Sequence, residues 1–166
     1  VFTSSIARFG GQGRGRQATE QSASRLGETG DLYSRTKFEA HEVAVEAARA
    51  GQDVTIVAPT GPLGPGDVGP TPTGRLLLTS LKLPLTVVAG SVTNFADVRD
   101  MARGHVLAAE RGERGASYLL GHRDLSLVEL ATMAQRLVGR SRPVVVAPML
   151  VARVAARAAV LVADHV

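Results

Sequence analysis

Short apolar blocks alternate with amphipathic and polar stretches along the chain, and this alternation predicts strands and helices in turn. Apolar runs predict buried strands at residues 1–6 and 54–58. Between them we expect a helix over residues 32–50, with Asp31 as its N-cap and Gly51 just past its end. A strand, a helix and a second strand in this order are typical of one half of a parallel, doubly wound sheet, so we predict an α/β fold.

The rest of the chain combines loop signals with further strands and helices. Residues 10–30 are polar and rich in Gly, Arg and Ser, which predicts a long exposed loop. Residues 59–74 are so rich in Pro and Gly that Pro59 is expected to end the second strand and to open a structured loop without regular hydrogen bonding. We expect helices at about residues 73–81, 98–111 and 126–138, strands at 85–88, 117–120 and 144–146, and a last helix with Pro148 near its first turn.

Composition narrows the class of protein. The 166 residues are 45% apolar and 20% charged, which is typical of a soluble, globular chain with a core. The absence of cysteine excludes a disulfide framework and a cysteine-based metal site, and it fits a cytoplasmic protein. The net charge of +4 is modest and spread along the chain, so we expect solvated surface rather than a nucleic-acid footprint.

Both ends of the chain lie within apolar segments. The run at residues 149–163 is short for a membrane span and is interrupted by Arg153 and Arg157, so we predict a docked amphipathic helix there. Val1 is not a start methionine, and the chain begins inside what the pattern predicts to be a buried strand. We therefore expect residues to precede Val1 in the protein.

Tyr33 and Lys37 form the motif that carries the most chemical information. They are four residues apart in a predicted helix, so they lie on one face, one turn apart. A cation beside a phenol favours the phenolate, which lets the tyrosine act as an acid or base near neutral pH. The chain has two tyrosines and two lysines, so a chance match at this spacing is improbable. The alternative interpretation is a surface helix on which Tyr33 packs and Lys37 is solvated.

Two other groups of residues carry less weight. Residues 11–16 (Gly-Gln-Gly-Arg-Gly-Arg) have the beginning of a phosphate-binding glycine loop, but Arg16 replaces the third glycine and polar residues follow, so we reject a cofactor fingerprint. A flexible rim of a site is the simpler interpretation of this segment, and an RNA contact is the alternative. The histidines do not have metal-ligand spacing, so we predict no metal site, and we expect His41 and His105 to be surface or packing residues.

Four segments occur in an order that is informative as a set: residues 1–5 (Val-Phe-Thr-Ser-Ser), 33–40 (Tyr-Ser-Arg-Thr-Lys-Phe-Glu-Ala), 57–67 (Val-Ala-Pro-Thr-Gly-Pro-Leu-Gly-Pro-Gly-Asp) and 97–105 (Asp-Val-Arg-Asp-Met-Ala-Arg-Gly-His). In this order they resemble the extended short-chain dehydrogenase/reductases of the NAD-dependent epimerase/dehydratase group. Residues 70–75 (Pro-Thr-Pro-Thr-Gly-Arg) look most like the hopanoid-associated sugar epimerases and dihydroflavonol-4-reductase-like proteins. The resemblance covers the whole chain and implies the C-terminal half of a Rossmann-type doubly wound parallel sheet plus a small α/β substrate-binding lobe.

The resemblance implies an NAD(P)-dependent oxidoreductase or epimerase that acts on a carbonyl or secondary alcohol of a sugar or small ketone. Tyr33 is then the general acid/base, Lys37 favours its phenolate and hydrogen-bonds the nicotinamide ribose, and Ser5 orients the substrate oxygen. The implied cofactor is NAD or NADP. The implied contacts are to the cofactor from Ser4, Tyr33, Lys37, Pro59 and Thr60, and to the substrate from Ser5, Gly61 and Arg75.

Departures from the family pattern qualify these roles. Many sugar-nucleotide enzymes of the group have asparagine where this chain has Gly61 and tyrosine where it has Leu63, which favours a smaller or more apolar carbonyl substrate. The chain also has no strand–Gly-x-x-Gly-x-x-Gly–helix unit, on whose helix the cofactor pyrophosphate would sit. We therefore expect a fragment that binds cofactor poorly by itself. The alternative is a non-catalytic truncated relative that binds a partner or RNA through its basic loop.

The same resemblance implies a division into domains and a set of partners. Residues 1–60 and 94–112 are expected to be the remaining part of the NAD(P)-binding Rossmann domain, and residues 61–93 and 113–166 the substrate-binding lobe. The helix at residues 32–50 is of the kind that forms dimer interfaces in this family, so we expect a homodimer through it. A small-molecule substrate is expected, whereas a nucleic-acid partner and a membrane span are not.

Overall fold

The computed structural model describes residues 1–10, 16–24 and 31–148. Strands and helices alternate through most of this range. In chain order the elements are β1 (Phe2–Thr3), a 3-10 helix (Ile6–Phe9), α1 (Leu32–Arg49), β2 (Ile56–Pro59), β3 (Gly61–Leu63), α2 (Pro72–Lys82), β4 (Thr86–Ala89), β5 (Val92–Asp97), α3 (Val98–Arg111), β6 (Ser117–Leu120), β7 (Arg123–Ser126), α4 (Leu127–Leu137) and β8 (Val144–Ala147).

The chain divides into two compact units. The first contains residues 1–65 and 94–123, and the second contains residues 66–93 and those from 124 onward. The first unit includes β6 because this strand pairs with β2, whereas the sequence prediction placed residues 113–123 in the substrate-binding lobe. A cofactor role for one unit and a substrate role for the other stay predictions.

The first unit is built on a parallel three-stranded sheet in the order β1, β2, β6. Phe2 lies beside Ile56, and Val57 lies beside Tyr118. The side chains of Ile56 and Val57 are completely buried, as expected for a strand in the middle of a parallel sheet. The predicted α/β fold with a parallel sheet is confirmed.

Pro59 lies inside β2, not after it. The N–H groups of Ile56 and Thr60 donate to carbonyl oxygens on the β6 side, those of Ala116 and Leu120, at 3.0 and 2.9 Å. Successive residues of a parallel strand bond alternately to its two neighbours, so the nitrogen of Pro59 faces the β1 side, where β1 has already ended. The missing N–H of proline therefore costs no hydrogen bond of the sheet.

Helix α1 has the bounds that its capping residues predict. Asp31 accepts a hydrogen bond from the N–H of Ser34 at 2.8 Å through its side chain. At the other end Gly51 takes a φ of +98°, a conformation that favours glycine, and the chain turns toward β2. The buried face of the helix packs against the 3-10 helix, so α1 is fixed to the segment that follows β1.

Two predictions for the first unit are wrong in detail. The N-terminal strand ends at Thr3, because the next residues turn into the 3-10 helix. The Pro- and Gly-rich segment is not free of regular hydrogen bonding, since β3 pairs in parallel with β5, with Gly61 beside Phe95 and Leu63 beside Asp97. This three-residue strand was not predicted because its Gly and Pro residues are typical of a turn. The strands β5 and β7 were not predicted either.

The second unit has its own small core. β4 and β8 pair in parallel, with Thr86 beside Val144, and α2 and α4 pack against each other. Helix α4 begins with the predicted capping box, in which Ser126 and Glu129 exchange hydrogen bonds with each other's backbone N–H. The predicted elements at residues 73–81, 85–88, 126–138 and 144–146 are confirmed to within one or two residues.

Some predicted features lie outside the described ranges. These are the last helix and the apolar run at residues 149–163, together with residues 11–15 of the basic glycine segment. Within residues 1–10, 16–24 and 31–148, no helix is long and apolar enough to cross a membrane.

Candidate active site

Tyr33 and Lys37 lie one turn apart at the start of α1. The Nζ atom of Lys37 is 5.9 Å from the centroid of the Tyr33 ring, which is within the range of a cation–π contact. Tyr33 is 59% exposed and Lys37 is half-buried. In the described part of the chain, neither the phenol hydroxyl nor the ammonium has a hydrogen-bond partner. As far as the described residues go, both groups are therefore available to bind a ligand.

Ser5 lies just beyond the carboxyl end of β1, where it caps the 3-10 helix. Its Oγ accepts a hydrogen bond from the N–H of Ala7 at 3.1 Å, which leaves the hydroxyl proton free to donate elsewhere. The side chain is half-buried. Since the 3-10 helix packs against α1, Ser5 and the Tyr33–Lys37 pair lie on two contacting elements of one unit. Their catalytic roles stay predictions.

Ser4 and His41 form a buried pair that the sequence did not indicate. Each is 3% exposed, and the Oγ of Ser4 lies 3.1 Å from Nδ1 of His41. Burial, and then the nearby charge of Arg8, lower the pKa of His41 to about 4. The imidazole is therefore neutral at pH 7, and its Nδ1 either donates to Ser4 or accepts from it according to the tautomer. The predicted contact of Ser4 with a cofactor stays a prediction.

Arg8 is a second buried polar residue that the sequence analysis missed. Its side chain is stacked on Phe9, with the guanidinium carbon 3.8 Å from the ring centroid, and its Nη2 donates to the carbonyl of Glu20 at 3.3 Å. The Nε atom is buried without a hydrogen-bond partner in the described residues. The hydroxyl of Ser24 donates to the carbonyl of Arg8 at 2.8 Å. These contacts attach residues 16–24 to the 3-10 helix.

Pro59 and Thr60 lie at the carboxyl end of β2. Because β1 and β2 are parallel, this end lies at the same edge of the sheet as Ser5, and open α/β sheets bind their ligands at such edges. The N–H and the Oγ1 of Thr60 both donate to the carbonyl of Leu120, at 2.9 and 3.0 Å. The Thr60 hydroxyl therefore joins β2 to β6, and contacts of Pro59 and Thr60 with a cofactor stay predictions.

Gly61 has a packing reason to lack a side chain. A Cβ atom at this position would lie 2.6 Å from Cδ1 of Phe95, and no carbon approaches another that closely without displacement. Phe95 is itself buried. The aromatic ring therefore takes the space in which a larger residue at position 61 would begin.

Arg75, the other predicted substrate contact, lies in the second unit. It is exposed in the first turn of α2, and its Nε donates to the carbonyl of Pro70 at 2.9 Å. The turn before the helix is fixed by Asp67, whose carboxylate accepts hydrogen bonds from the N–H and the hydroxyl of Thr71. The role of Arg75 stays a prediction.

The structure also bears on a metal site and on the residues that the sequence analysis missed. Among the described residues, no group of three or more His, Asp or Glu side chains is placed to hold a metal ion. His41 and Arg8 were missed because their contacts join positions far apart in sequence. The one local signal was the spacing of His41, which follows Lys37 by four residues and so lies on the same side of the helix.

Comparison with known proteins places the chain in a family of enzymes and identifies its relatives. The model of the NAD dependent epimerase/dehydratase family matches residues 1–121, which is most of the chain. A putative dihydroflavonol 4-reductase of Synechocystis sp. is 38% identical over 147 residues, which cover 86% of this chain and 43% of the relative. The sterol demethylase protein B of Methylococcus capsulatus is 32% identical over 144 residues, which cover 86% of this chain and 43% of that relative. The chain thus spans somewhat less than half the length of these curated relatives.

Solved structures give the same answer for the fold. A nucleoside-diphosphate-sugar epimerase from Pseudomonas aeruginosa is 29% identical with a TM-score of 0.80, over 96% of this chain and 52% of that one. At 18% identity, which supports the fold alone, a dTDP-glucose 4,6-dehydratase from Bacillus anthracis with bound NAD gives a TM-score of 0.73 over 88% of this chain and 49% of that one. A Pseudomonas aeruginosa protein complexed with NADPH gives a TM-score of 0.72 at 18% identity, over 88% of this chain and 53% of that one.

The matching family is described as NAD dependent, and two of the solved structures with this fold contain NAD or NADPH. The match of the family model covers β1, α1, β2 and β6, which are the elements that position Ser5, Tyr33 and Lys37. The chain belongs to the NAD-dependent epimerase/dehydratase family of enzymes.

Proposed function

We propose that the protein containing this chain is an NAD(P)-dependent oxidoreductase or epimerase that acts on a carbonyl compound or secondary alcohol. Ser5, Tyr33 and Lys37 are its catalytic residues in this proposal. The observation that supports it most is the placement of a phenol and an ammonium one helical turn apart, with Nζ 5.9 Å from the ring centroid. Both groups are free of other hydrogen bonds in the described part of the chain.

The side chains at this edge of the sheet suit the nicotinamide end of the cofactor. The ammonium of Lys37 has three donors that no described residue claims, and these suit the hydroxyl oxygens of a ribose. The hydroxyls of Ser4 and Thr60 are engaged inside the protein, so contacts from these positions and from Pro59 would come from backbone or apolar atoms. When bound, the nicotinamide supplies or accepts the hydride.

The remaining chemistry is proton transfer at the substrate oxygen. Tyr33 donates a proton to this oxygen in reduction and removes it in oxidation, and the ammonium of Lys37 lies one helical turn away. Ser5 donates its free hydroxyl proton to the same oxygen, which holds the oxygen in place and stabilises the negative charge that develops on it.

Packing at Gly61 favours a small or apolar carbonyl substrate. The Phe95 ring leaves no room for an asparagine side chain at position 61, which many sugar-nucleotide enzymes of the group have. Two relatives are named for ring compounds that carry no nucleotide, a dihydroflavonol and a sterol. The similarity to a nucleoside-diphosphate-sugar epimerase makes nucleotide sugars the competing substrate class.

A turnover assay on the protein at its natural length tests the proposal. The substrates would be a dihydroflavonol, a 3-keto sterol, UDP-glucose and dTDP-glucose, each with NAD(H) and with NADP(H). We expect cofactor to be consumed in proportion to product with an apolar ketone. Product formed from a nucleotide sugar without net cofactor change would instead support an epimerase. Failure to bind either cofactor would contradict the proposal.

A further inference from the structure

One side of α1 carries three polar side chains at successive turns: Tyr33, Lys37 and His41. The last of these is tied to the segment that carries the catalytic serine of the proposed function. Nδ1 of His41 lies 3.1 Å from Oγ of Ser4, the residue directly before Ser5. Between α1 and residues 1–9, both fully described, this is the one hydrogen bond that joins two side chains.

The surroundings make this hydrogen bond a firm link. Ser4 is held from the other side by the sheet, because its N–H donates to the carbonyl of Val57 at 2.7 Å. Ser4 and His41 are each 3% exposed, so water does not compete for their polar atoms. The charged group that acts on the imidazole is Arg8 from the 3-10 helix, and the charge of Arg8 is in turn opposed by that of Glu42 from α1. A neutral, buried imidazole that is hydrogen-bonded to Ser4 is held in one orientation.

We propose that His41 is a positioning residue, whose hydrogen bond to Ser4 sets the distance between the Tyr33–Lys37 side of α1 and the hydroxyl of Ser5. The inference rests on the proposed function, in which these three residues act together on one substrate oxygen. The acid/base pair is carried by the helix and the serine by the loop after β1, so their separation depends on how the helix is docked. A displacement of about 1 Å between catalytic groups costs roughly a hundredfold in rate.

Two substitutions separate the hydrogen bond from the rest of the histidine. The side-chain amide of asparagine is as many bonds from Cβ as Nδ1, whereas that of glutamine corresponds to Nε2. His41→Asn therefore keeps a partner for Ser4, and His41→Gln does not. In the protein at its natural length, we expect kcat of His41→Asn to stay within about threefold of the wild type, and kcat of His41→Gln to fall by roughly ten- to a hundredfold.

Further variants distinguish positioning from general structural damage. We expect Ser4→Ala to lose kcat to the same extent as His41→Gln, and the double variant to be no worse than either single one, because both remove one hydrogen bond. The KM for the cofactor should change less than about twofold. His122→Gln is the matched control, since His122 is exposed and, among the residues the structure describes, only its backbone N–H is engaged, with Asn94.

Amide hydrogen exchange of residues 33–37 without cofactor gives a readout that does not depend on turnover. Exchange should be faster in His41→Gln and in Ser4→Ala than in the wild type and His41→Asn. Wild-type kcat in His41→Gln and Ser4→Ala, while Tyr33→Phe is inactive, would overturn the positioning role and leave the proposed function standing. Wild-type turnover in Tyr33→Phe would overturn the proposed function itself. If His41→Gln does not fold, the Ser4→Ala variant decides by the same criteria.

Discussion

Gly61 lies so close to Phe95 that no side chain fits at position 61: a Cβ atom there would be 2.6 Å from Cδ1 and 2.8 Å from Cε1 of the ring. The two residues are partners in the parallel pairing of β3 with β5. A side chain at position 61 therefore has to displace the ring opposite it.

Gly61→Asn tests this packing. The added side chain must displace the Phe95 ring, and overpacking of this kind costs about 1–3 kcal/mol of the free energy of unfolding. Urea denaturation measures the loss. The second change Phe95→Leu should restore part of the stability, because a leucine side chain leaves more space opposite position 61. A Gly61→Asn variant with wild-type stability would show that the ring moves freely.

Lys37→Met tests the contact with the cofactor. The variant keeps an unbranched side chain but removes the three donors proposed for the ribose hydroxyls. Loss of a charged hydrogen bond of about 1.5–3 kcal/mol raises the cofactor dissociation constant by roughly ten- to a hundredfold. Titration of the nicotinamide fluorescence would measure it. Lys82→Met is the matched control, since the chain has two lysines and Lys82 lies in the last turn of α2 in the other unit.

The buried imidazole predicts that stability falls in acid. The pKa of His41 is about 4 in the folded protein, below its usual value of 6.5. Between these values the unfolded chain binds a proton that the folded chain does not, so stability rises with pH across this window and is lost as pH falls toward 4. At pH 5 the loss relative to pH 8 is about 2 kcal/mol from this group alone.

Denaturation midpoints of the wild type and of His41→Asn at pH 8 and pH 5 measure this contribution. Asparagine keeps the link to Ser4 and does not titrate in this range. The variant should therefore lose about 2 kcal/mol less than the wild type between the two pH values. Equal losses in the two proteins would mean that His41 does not stay neutral in the folded state.

The buried side chain of Gln135 is expected to stabilise the second unit. It is 2% exposed, its amide donates to the carbonyl of Ser80 at 3.1 Å, and its Oε1 accepts from the N–H of Arg142 at 2.8 Å. Gln135→Leu leaves both backbone groups without a partner and should cost about 2–4 kcal/mol. Met133→Leu, at an exposed position of the same helix, should change the urea midpoint little. Equal effects of the two substitutions would contradict this account.

The sequence indicated α1 well because its signals are local. Asp31 and Gly51 mark the ends of the helix, and each acts through its own backbone or side chain within a few residues. The pairing of Gly61 with Phe95 could not be predicted from such local signals. The strand is three residues long and is built from Gly, Pro and Leu, so its composition predicts a turn, and its partner lies 34 positions away.

The candidate site shows the same division between local and distant contacts. Tyr33 and Lys37 were found from a spacing that a helix converts directly into proximity. The link between Ser4 and His41 spans 37 positions and depends on the docking of α1 against the 3-10 helix, which no local pattern encodes. The inward orientation of Ser4 likewise follows from the sheet that holds its backbone.

The central claim, that Tyr33 is the general acid/base, is tested most directly by the turnover number of Tyr33→Phe in the protein at its natural length. The matched control is Tyr118→Phe at the other tyrosine of the chain, whose hydroxyl accepts from the N–H of Glu113 and takes no part in the proposed chemistry. We predict that kcat falls by about a hundredfold or more in Tyr33→Phe, with folding and cofactor binding kept, and stays unchanged in Tyr118→Phe. Wild-type kcat in Tyr33→Phe would contradict the account.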